Sequence, residues 1–526
     1  MSLYLVFNQV RRMNRNNRLL VICRFAVVIL CLLTTVTLTA QQRPNIIVFM
    51  VDDMGWMDTS VPFGDSIYPL NKKYHTPNME RLAREGMKFT SAYATPVCTP
   101  SRLSLLTGMN AAHHKVTNWT SPLANNPTDV LDKQFDAPNW NHNGISTQPN
   151  TAHSIYATAL PQLLKDVGYF TVHVGKAHWG SAGTTGSNPY NLGFMVNIAG
   201  HAGGHPQSYY GKDNYGNIPG KAGLQAVPDL QQYHGTDTFL TEALTLEAIK
   251  TLQTPVKRKQ PFFLHIAHYA VHLPIQADQR YLQKYLAEGL DTLEAGYASL
   301  IEGMDKSLGD IMDYLTKAGI EKNTVIIFMS DNGGISNPGT RSGKPFMQNY
   351  PLRAGKGSVY EGGIREPMIV KWPAVVKPST VAKQPVIIED FFPTILEIAK
   401  LKNYKTVQVI DGRSLLPILK SPSYADSSRV LIWHSPNKWI NNDGPGINFY
   451  SAIRQGNWKL VYSMRTGKME LYNVANDIGE TVDLYSLYPE KVKQLSALLA
   501  NRLITWESPM PKDKQTGKPV SIPLSK

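Results

Sequence analysis

Cysteine is scarce in this chain: its 526 residues include three, and two of these, Cys23 and Cys31, lie within the first 40 residues. The rest of the chain has a single thiol, Cys98, which can form no internal disulfide. Cysteine-rich zinc sites are excluded as well, because no second thiolate is present. A part of about 490 residues is nevertheless long enough to bury a large core without such cross-links.

Acidic side chains are absent from the first 40 residues, which carry five arginines. Four of the arginines precede an apolar run over residues 19–33, and small residues occupy positions 37–40. This order is typical of an export signal that is cleaved. A permanent membrane anchor is the alternative, but Arg24 interrupts the run, which is short for a bilayer span of ~20 residues. We therefore predict a signal peptide over residues 1–40 and a periplasmic or extracellular mature protein.

Long apolar runs are absent from the rest of the chain, so we expect no stable membrane association. Removal of the five N-terminal arginines lowers the formal net charge from +13 to +8. A basic surface favours a polyanionic partner, although a merely soluble basic protein would have the same charge. Nucleic acid is not among the partners that we expect.

Apolar runs typical of buried strands alternate with amphipathic stretches typical of helices. This alternation predicts an α/β fold with a large, mixed but mostly parallel sheet that is flanked by helices. Residues 46–51 are continuously apolar, as expected of a central strand that is covered on both faces. The predicted strands cover residues 46–51, 88–93, 169–174, 262–267 and 324–330, and the predicted helices cover residues 76–86, 154–167 and 293–318.

Two long stretches, residues 117–151 and 181–229, have neither a helix nor a strand pattern. Loops of this size in a compact domain are usually functional or disordered. Their aromatic and histidine residues, among them Trp119, Trp140 and His201, favour a function such as the walls of a substrate cleft.

The composition changes after about residue 421, where short antiparallel strands are followed by a predicted helix over residues 489–506. We interpret this part as a smaller C-terminal subdomain. The predicted organisation is a signal peptide over residues 1–40, a catalytic domain over residues 41–420 and an antiparallel-sheet-plus-helix subdomain over residues 421–526.

Acidic side chains follow two of the predicted strands. Asp52 and Asp53 come directly after the first strand, and Asp331 and Asn332 come directly after the strand that ends at Ser330. Ligands bind beyond the carboxyl ends of strands in open α/β sheets. Four oxygen donors at one rim, three of them carboxylates, suit a hard divalent cation such as calcium. Alternatively these are ordinary turn and cap residues, which Asp and Asn favour.

The single thiol is expected just before a short helix that begins near Pro100 and ends at Gly108. A helix N-terminus stabilises a bound anion, and Arg102 in the first turn can support a nucleophile or an anionic substrate. Alternatively Cys98 is a small buried hydrophobic residue. Its neighbours are Pro, Ser and Arg rather than apolar residues, which favours a chemical role.

Basic and imidazole side chains follow other predicted strands. Lys176 and His178 come after one strand, His268 and His272 after the next, and Lys356 lies in a glycine-rich loop. Each of them alone is an ordinary surface or structural residue. Together they supply cations and proton donors at one rim, which is what an anionic transition state and a departing alcohol require.

The run Cys-Thr-Pro-Ser-Arg at residues 98–102 resembles the recognition sequence of the type I, formylglycine-dependent sulfatases of the alkaline phosphatase-like superfamily. Further matches cover nearly the whole chain after residue 40, including Gly-Asn-Trp-Lys-Leu at residues 456–460. The resemblance implies the alkaline phosphatase-like fold and a maturation enzyme that oxidises Cys98 to formylglycine. The hydrated aldehyde would attack a sulfate ester with one hydroxyl, and deprotonation of the other would expel the sulfate.

The resemblance also implies roles for individual residues. Arg102 and Lys176 would hold the formylglycine and the substrate oxygens, and His178 would be the base that helps to expel sulfate. His272 and Lys356 would bind sulfate and assist the leaving group. The implied catalytic residues are Cys98, Arg102, Lys176, His178, His272 and Lys356; the calcium ligands are Asp52, Asp53, Asp331 and Asn332; and the substrate-binding residues are His201, His268, Arg353 and Trp119.

One position departs from the family's pattern. Met109 stands where Arg commonly follows the Thr-Gly pair after the cysteine motif. The residues that direct cysteine oxidation are intact, so we expect Cys98 to be modified.

The implied activity is hydrolysis of sulfate esters on a sulfated glycan. Residues 191–210 are similar to loops of bacterial polysaccharide sulfatases, which favours an algal polysaccharide such as carrageenan or ulvan over a glycosaminoglycan. A phosphonate or phosphate ester hydrolase on the same scaffold is one alternative. A non-catalytic glycan-binding relative is another, but it would be expected to have lost Cys98, Arg102, Lys176 or an acidic ligand, and all are present.

Overall fold

The computed structural model describes residue 14 and residues 43–335 and 349–524. The predicted signal peptide over residues 1–40 therefore lies, apart from Asn14, outside the described residues. From Pro44 onward the chain forms one compact unit. Within the described ranges, no helix combines the length and the apolar character that a membrane span needs.

A nine-stranded sheet organises this unit. Its strands run parallel, except that Arg365–Lys371 is antiparallel to both of its neighbours. The mixed, mostly parallel sheet of the predicted α/β fold is thus confirmed. In order across the sheet the strands are Thr380–Ala382, Met87–Tyr93, Arg365–Lys371, Thr324–Ser330, Asn45–Val51, Phe262–Ala267, Phe170–Gly175 and Val196–Ile198, and Val386–Ile387 also pairs with the second of them.

Helices cover both faces of this sheet. In the central strand Asn45–Val51, Ile47 and Phe49 pack into the apolar core on one face, and Ile46 and Val48 pack into the core on the other. Successive side chains of a strand point to opposite faces, so a strand that is covered twice must be apolar throughout. The helices of this part are Pro77–Glu85, Cys98–Thr107, Ala111–His114, Leu160–Asp166, Leu240–Lys257, Gln279–Ala287, Thr292–Lys317, Glu361–Ile364, Phe391–Ile398 and Leu416–Lys420.

Two predicted elements differ from the structure. The helix predicted over residues 154–167 is shorter and spans Leu160–Asp166, with Pro161 in its first turn. Proline lacks the N–H that a helix interior needs and is tolerated in a first turn, so a helix that began at residue 154 would place Pro161 where it breaks the hydrogen bonding. Ile155–Tyr156 instead forms a short parallel strand. The prediction of no strand is wrong for both long stretches. Within residues 117–151, Phe135–Asp136 and Ile145–Ser146 form two-residue strands. Within residues 181–229, Val196–Ile198 pairs with the edge of the main sheet.

The predicted C-terminal sheet and helix are confirmed. Leu460 of this sheet and Leu495 and Leu499 of the following helix share one apolar cluster. The boundary at residue 420 stays a prediction. The strands are Val430–Ser435, Tyr450–Gln455, Trp458–Ser463 and Met469–Asn473, and the helix is Pro489–Thr505.

Buried polar contacts attach the C-terminal sheet to the rest of the unit. Lys459 Nζ lies 3.0 Å from Glu361 Oε1 and 2.8 Å from Glu480 Oε1, and the three side chains are buried. The indole nitrogen of Trp433 donates to the carbonyl oxygen of Ala94 at 2.8 Å. Because a buried charge without a partner is costly, these contacts fix where the sheet sits.

Glu389 is a buried carboxyl at the contact between the main part and the C-terminal sheet. Asn110 Nδ2 donates to Glu389 Oε1 at 2.9 Å and to the carbonyl oxygen of Ile432 at 3.0 Å. Among the described residues, Glu389 Oε2 has no hydrogen-bond partner. Burial and, next, the charge of Asp390 raise the pKa of Glu389 to about 8. The folded protein therefore holds a proton here that an exposed Glu would release.

Glu389→Gln is expected to stabilise the protein at alkaline pH and to change little in mild acid. The folded state keeps this proton up to a pKa of about 8, whereas the unfolded chain releases it near pH ~4.3. Between these values the folded state binds more protons, so the stability of the unaltered protein falls as the pH rises, by up to about 1.4 kcal/mol per unit. Thermal unfolding of both proteins across this window measures the difference; an identical pH dependence in the two would contradict this assignment.

Candidate active site

The acidic residues selected from the sequence meet at one rim of the main sheet. Asp52 and Asp53 follow the central strand, and Asp331 follows the neighbouring strand, in which Ser330 lies opposite Val51. The amide of Asp331 donates to the carbonyl oxygen of Val51 at 3.0 Å. The two acidic pairs are therefore adjacent, because parallel strands end at the same edge.

Three side-chain oxygens of this cluster are buried and have no hydrogen-bond partner among the described residues. They belong to Asp52 (Oδ1), Asp53 (Oδ2) and Asn332 (Oδ1). An unpaired buried oxygen is costly, so the set points to a cation that would satisfy it. Asp52, Asp53 and His272 also each offer one ligand atom, and these atoms lie within 4.8 Å of one another. The donors fit a hard divalent cation.

Each carboxylate of the cluster is paired with a buried cation. The pairs are Lys176 Nζ with Asp52 Oδ2 at 2.6 Å, Lys356 Nζ with Asp53 Oδ1 at 2.5 Å, and Arg102 Nε with Asp331 Oδ2 at 2.8 Å. All six side chains are less than a tenth exposed, so the attraction within each pair has to offset the cost of removing both charges from water.

At Asp52 burial has the larger effect and raises the pKa well above its ordinary value, although Lys176 acts in the opposite direction. The pairing of Asp53 with Lys356, in contrast, keeps both groups charged. Burial alone would raise the pKa of Asp53, but Lys356 and His272 hold it below its ordinary range. For Lys356 burial acts in the other direction and lowers the pKa. The Asp53 carboxylate outweighs this effect, so the pKa of Lys356 lies above its ordinary value. The site therefore presents a fixed ammonium group beside a fixed carboxylate at neutral pH.

Cys98 is the first residue of the helix Cys98–Thr107, two residues before the expected start. The helix ends as predicted at Gly108, whose φ of 69° lies in the left-handed region that favours glycine. Burial raises the pKa of the Cys98 thiol, while Lys176 and Lys356 act in the opposite direction. The charges of both lysines of the cluster thus act on the thiol.

His178 lies beside the thiol, with Nδ1 3.5 Å from Cys98 Sγ. Its Nε2 is 2.9 Å from the carbonyl oxygen of Thr120. A carbonyl can only accept, so Nε2 carries the proton and Nδ1 is the acceptor, with Cys98 Sγ at 3.5 Å and Thr99 Oγ1 at 3.3 Å from it. Burial and, next, Lys176 lower the pKa of His178 well below its ordinary value. The ring is therefore neutral at neutral pH, which is the state that a base requires.

A second histidine, His272, contacts the acidic cluster. Its Nε2 lies 3.5 Å from Asp53 Oδ2, and its Nδ1 donates to the carbonyl oxygen of Leu273 at 3.0 Å. The ring of His205 stacks on it, with centroids 5.6 Å apart and an interplanar angle of 7°. Sequence reasoning did not select His205 as a site residue. The available signal was its place in the glycine- and histidine-rich loop that also carries His201.

The predicted substrate-binding histidines lie in two different settings. The carbonyl oxygen of His201 accepts from the amide of His178 at 3.1 Å, and its own Nε2 is buried without a hydrogen-bond partner among the described residues. His268 is completely buried, and its Nε2 lies 2.8 Å from Ser307 Oγ on the long helix behind the sheet. His201 thus borders the site, whereas the contacts of His268 are those of a core residue.

The remaining predicted residues do not converge in the same way. The guanidinium carbon of Arg353 lies 3.9 Å from the ring centroid of Tyr360, and its Nη1 donates to Tyr472 Oη at 2.9 Å. The guanidinium group is therefore bound to the C-terminal sheet. Trp119 is partly exposed. Trp140 is 2% exposed and packs in the core, and it also lines a cavity together with Asp129 and Phe135. Its role as the wall of a substrate cleft stays a prediction. Met109, where the family pattern commonly has Arg, is also buried.

One carboxyl near the site was missed by sequence reasoning. Glu366 is completely buried, and neither of its carboxyl oxygens has a hydrogen-bond partner among the described residues. Burial and, next, Asp331 and Asp53 raise its pKa well above the ordinary value. The group is therefore protonated at neutral pH. No strand-end position marks it, because it lies within the strand Arg365–Lys371.

Comparison with known proteins identifies the family of this chain. The sulfatase family model matches residues 44–401, and the model of the N-sulphoglucosamine sulphohydrolase C-terminal region matches residues 354–508. A sulfatase of Formosa agariphila is 31% identical over 513 residues, which cover 89% of each chain. An N-acetylgalactosamine-6-sulfatase of Mus musculus is 33% identical over 409 residues, which cover 76% of this chain and 70% of the relative. The crystal structure of Ps i-CgsB in complex with k-i-k-neocarrahexaose has a TM-score of 0.69 and 26% identity, and the match covers 89% of this chain and 94% of that one. The chain belongs to the sulfatase family and is a sulfuric ester hydrolase.

Proposed function

We propose that the protein removes sulfate esters from a sulfated glycan, with residue 98 acting in its formylglycine form. The observation that carries this proposal is the lone pair of His178 Nδ1, which faces the sulfur of Cys98 at 3.5 Å. Residue 98 also begins a helix, and the charges of Lys176 and Lys356 act on its side chain. A nucleophile, its base and positive charge for an anion thus occupy one buried site.

The chemistry consumes one water and converts the ester into an alcohol and sulfate. Hydrated formylglycine attacks sulfur with one hydroxyl, the bond from sulfur to the alcohol oxygen breaks, and the alcohol oxygen takes up a proton in place of the one that the attacking hydroxyl loses. Deprotonation of the second hydroxyl then breaks the carbon–oxygen bond to sulfate and restores the aldehyde, which the water rehydrates. His178 Nδ1 accepts this proton. Arg102 and Lys176 hold residue 98 and the substrate oxygens. The raised pKa of Lys356 keeps its side chain an ammonium group, which donates a hydrogen bond to the leaving oxygen. His272 binds the sulfate.

A divalent ion would be held by the acidic residues at the rim, and it would supply positive charge to the substrate oxygens. The residues that would hold it are Asp52, Asp53, Asp331 and Asn332. Their unpaired oxygens favour a hard cation, and we propose calcium. The three carboxylates and three cations of the site cancel formally. A bound divalent ion would therefore give the site a net positive charge for a sulfate ester.

The proposed substrate class is a sulfated polysaccharide outside the cell. The mouse relative is named for N-acetylgalactosamine 6-sulfate, and the Ps i-CgsB structure contains a neocarrahexaose. Both names favour a sulfated glycan, and we propose an algal polysaccharide such as carrageenan. The signal peptide predicted over residues 1–40 would place the enzyme where such polymers occur. His201, at the border of the site, is proposed to contact the sugar.

A substrate panel tests this proposal. Sulfate release from defined carrageenan, ulvan and glycosaminoglycan oligosaccharides, measured by chromatography, is expected with at least one of them. An aryl sulfate, a phosphate diester and a phosphonate ester are compared in parallel. A higher kcat/KM for either phosphorus ester would overturn the sulfate-ester proposal.

Cys98→Ser is expected to abolish steady-state turnover while leaving the fold intact. Serine has a single hydroxyl, so a sulfate group transferred to it lacks the second hydroxyl that would expel it. Sulfate release by a homogeneous preparation should therefore stop at one equivalent or less, and Cys98→Ala should release none. Repeated turnover by the serine variant would contradict the mechanism.

His178→Ala is expected to lower kcat by roughly 10²–10⁴-fold, because the proton on residue 98 loses its acceptor. The matched control is His75→Ala, which removes a partly exposed histidine that pairs with Glu288 on the surface. The kcat of both variants is measured with one aryl sulfate. A His178→Ala enzyme that kept more than about a tenth of the kcat would exclude the assigned base.

Chelation is expected to lower the thermal unfolding temperature, and added calcium should restore it. A ligand that binds only the folded state stabilises by about 2.7 kcal/mol at a hundred times its Kd. Asn332→Ala removes one of the three unpaired oxygens and should reduce the calcium-dependent shift. Magnesium is tested in the same way. Equal unfolding temperatures with and without any divalent ion would argue against the site.

A further inference from the structure

The C-terminal subdomain brings a tryptophan, Trp439, to the loop that carries Lys356. The indole lies directly on Gly357, since a Cβ placed on that glycine would be 2.1 Å from Trp439 Cε3. Gly357 has a φ of +88°, and its amide donates to the carbonyl oxygen of Pro96 at 2.7 Å. The indole is therefore one residue away from Lys356 and close to the segment that leads into Cys98.

The position of this indole is fixed by its own loop, residues 436–448. The amide of Trp439 donates to Asn448 Oδ1 at 2.8 Å, and Asn448 Nδ2 donates back to the carbonyl oxygen of Ile440 at 3.0 Å. The amide of Val359 donates to the carbonyl oxygen of Gly446 at 3.0 Å. The loop is thus closed on itself and hydrogen-bonded to the chain just after Gly357, which leaves the indole little freedom to move.

Core packing does not account for Trp439. The residue is half-buried, and among the described residues it belongs to none of the apolar clusters. Trp433, six residues earlier, is 1% exposed and packs in one of these clusters. A tryptophan that is held rigidly at the surface, outside the core, offers a flat apolar face to a ligand.

We propose that Trp439 forms a binding subsite for a sugar ring next to the one that carries the sulfate. Lys356 Nζ reaches inward to Asp53, whereas the indole stays on the backbone of the same loop. The ammonium group of Lys356 and the indole therefore occupy different positions on one loop, so the indole can contact a ring other than the one that carries the sulfate. The apolar face of that ring packs on the indole while its hydroxyls stay in water. This inference rests on the proposed function, because it assumes a glycan substrate.

Binding measurements in a Cys98→Ala background test the subsite without catalysis. The ligands are a sulfated carrageenan hexasaccharide and a sulfated galactose, and the Kd values are measured by titration calorimetry. Trp439→Ala and Trp439→Leu should weaken binding of the hexasaccharide by about ten-fold, because both remove the aromatic face. Trp439→Phe should keep most of the affinity. Binding of sulfated galactose, which has no second ring, should be unchanged in all three variants.

The matched control is Trp458→Ala, which removes a partly buried tryptophan of the C-terminal sheet that packs on Tyr488. This variant should bind both ligands like its parent. The inference is overturned by an equal loss for both ligands, by full affinity in Trp439→Leu, or by a parent that does not bind the hexasaccharide. Sulfate release by the protein with an intact Cys98 is measured separately. A protein that binds through Trp439 but releases no sulfate would contradict the proposed function and leave the subsite standing.

Discussion

Six buried charges at one edge of a parallel sheet impose the main constraint on this structure. Three carboxylates each lie within ion-pair distance of one cation, and all six side chains are almost completely removed from water. Loss of one partner from such a pair typically costs about 3–5 kcal/mol, because the other charge stays buried. Each strand or loop that contributes one of these charged side chains, from the central strand to the Lys356 loop, must therefore keep its position at the rim.

The surrounding contacts follow from that constraint. The amide of Val271 donates to the carbonyl oxygen of Asp52, and the amide of Lys356 donates to that of Gly334, so backbone hydrogen bonds hold the rim loops to the strand ends. Lys459 extends the same principle to the C-terminal sheet, where it joins Glu361 and Glu480. Pairing of buried charges thus links the C-terminal sheet to the loop that presents Lys356.

The ends of the strands could be predicted from the sequence, and most of the correctly placed site residues follow from them. A continuous apolar run followed by Asp52 and Asp53 marks a buried parallel strand and its carboxyl end. The same reasoning brought Lys176 and Asp331 to the same rim. The helix at Cys98 was also predicted, because Gly108 marks its end.

Features that depend on tertiary contacts could not be predicted in this way. His205 is identified as a site residue only because its ring stacks on that of His272. Glu366 is identified because its strand is buried, and Trp439 because its indole contacts Gly357. None of these relations has a local pattern, since the partners are distant in sequence. His268 shows the reverse case: its place after a strand matched the expectation, but its ring points to Ser307 in the core.

The central claim is that residue 98 acts as an aldehyde beside His178, within reach of the charged rim. Mass spectrometry of the peptide that spans residue 98, taken from enzyme of measured specific activity, tests this claim most directly. The account predicts that the fraction of peptide with the mass of formylglycine rises in proportion to specific activity across preparations. Full activity in a preparation in which residue 98 is entirely an unmodified thiol would contradict it.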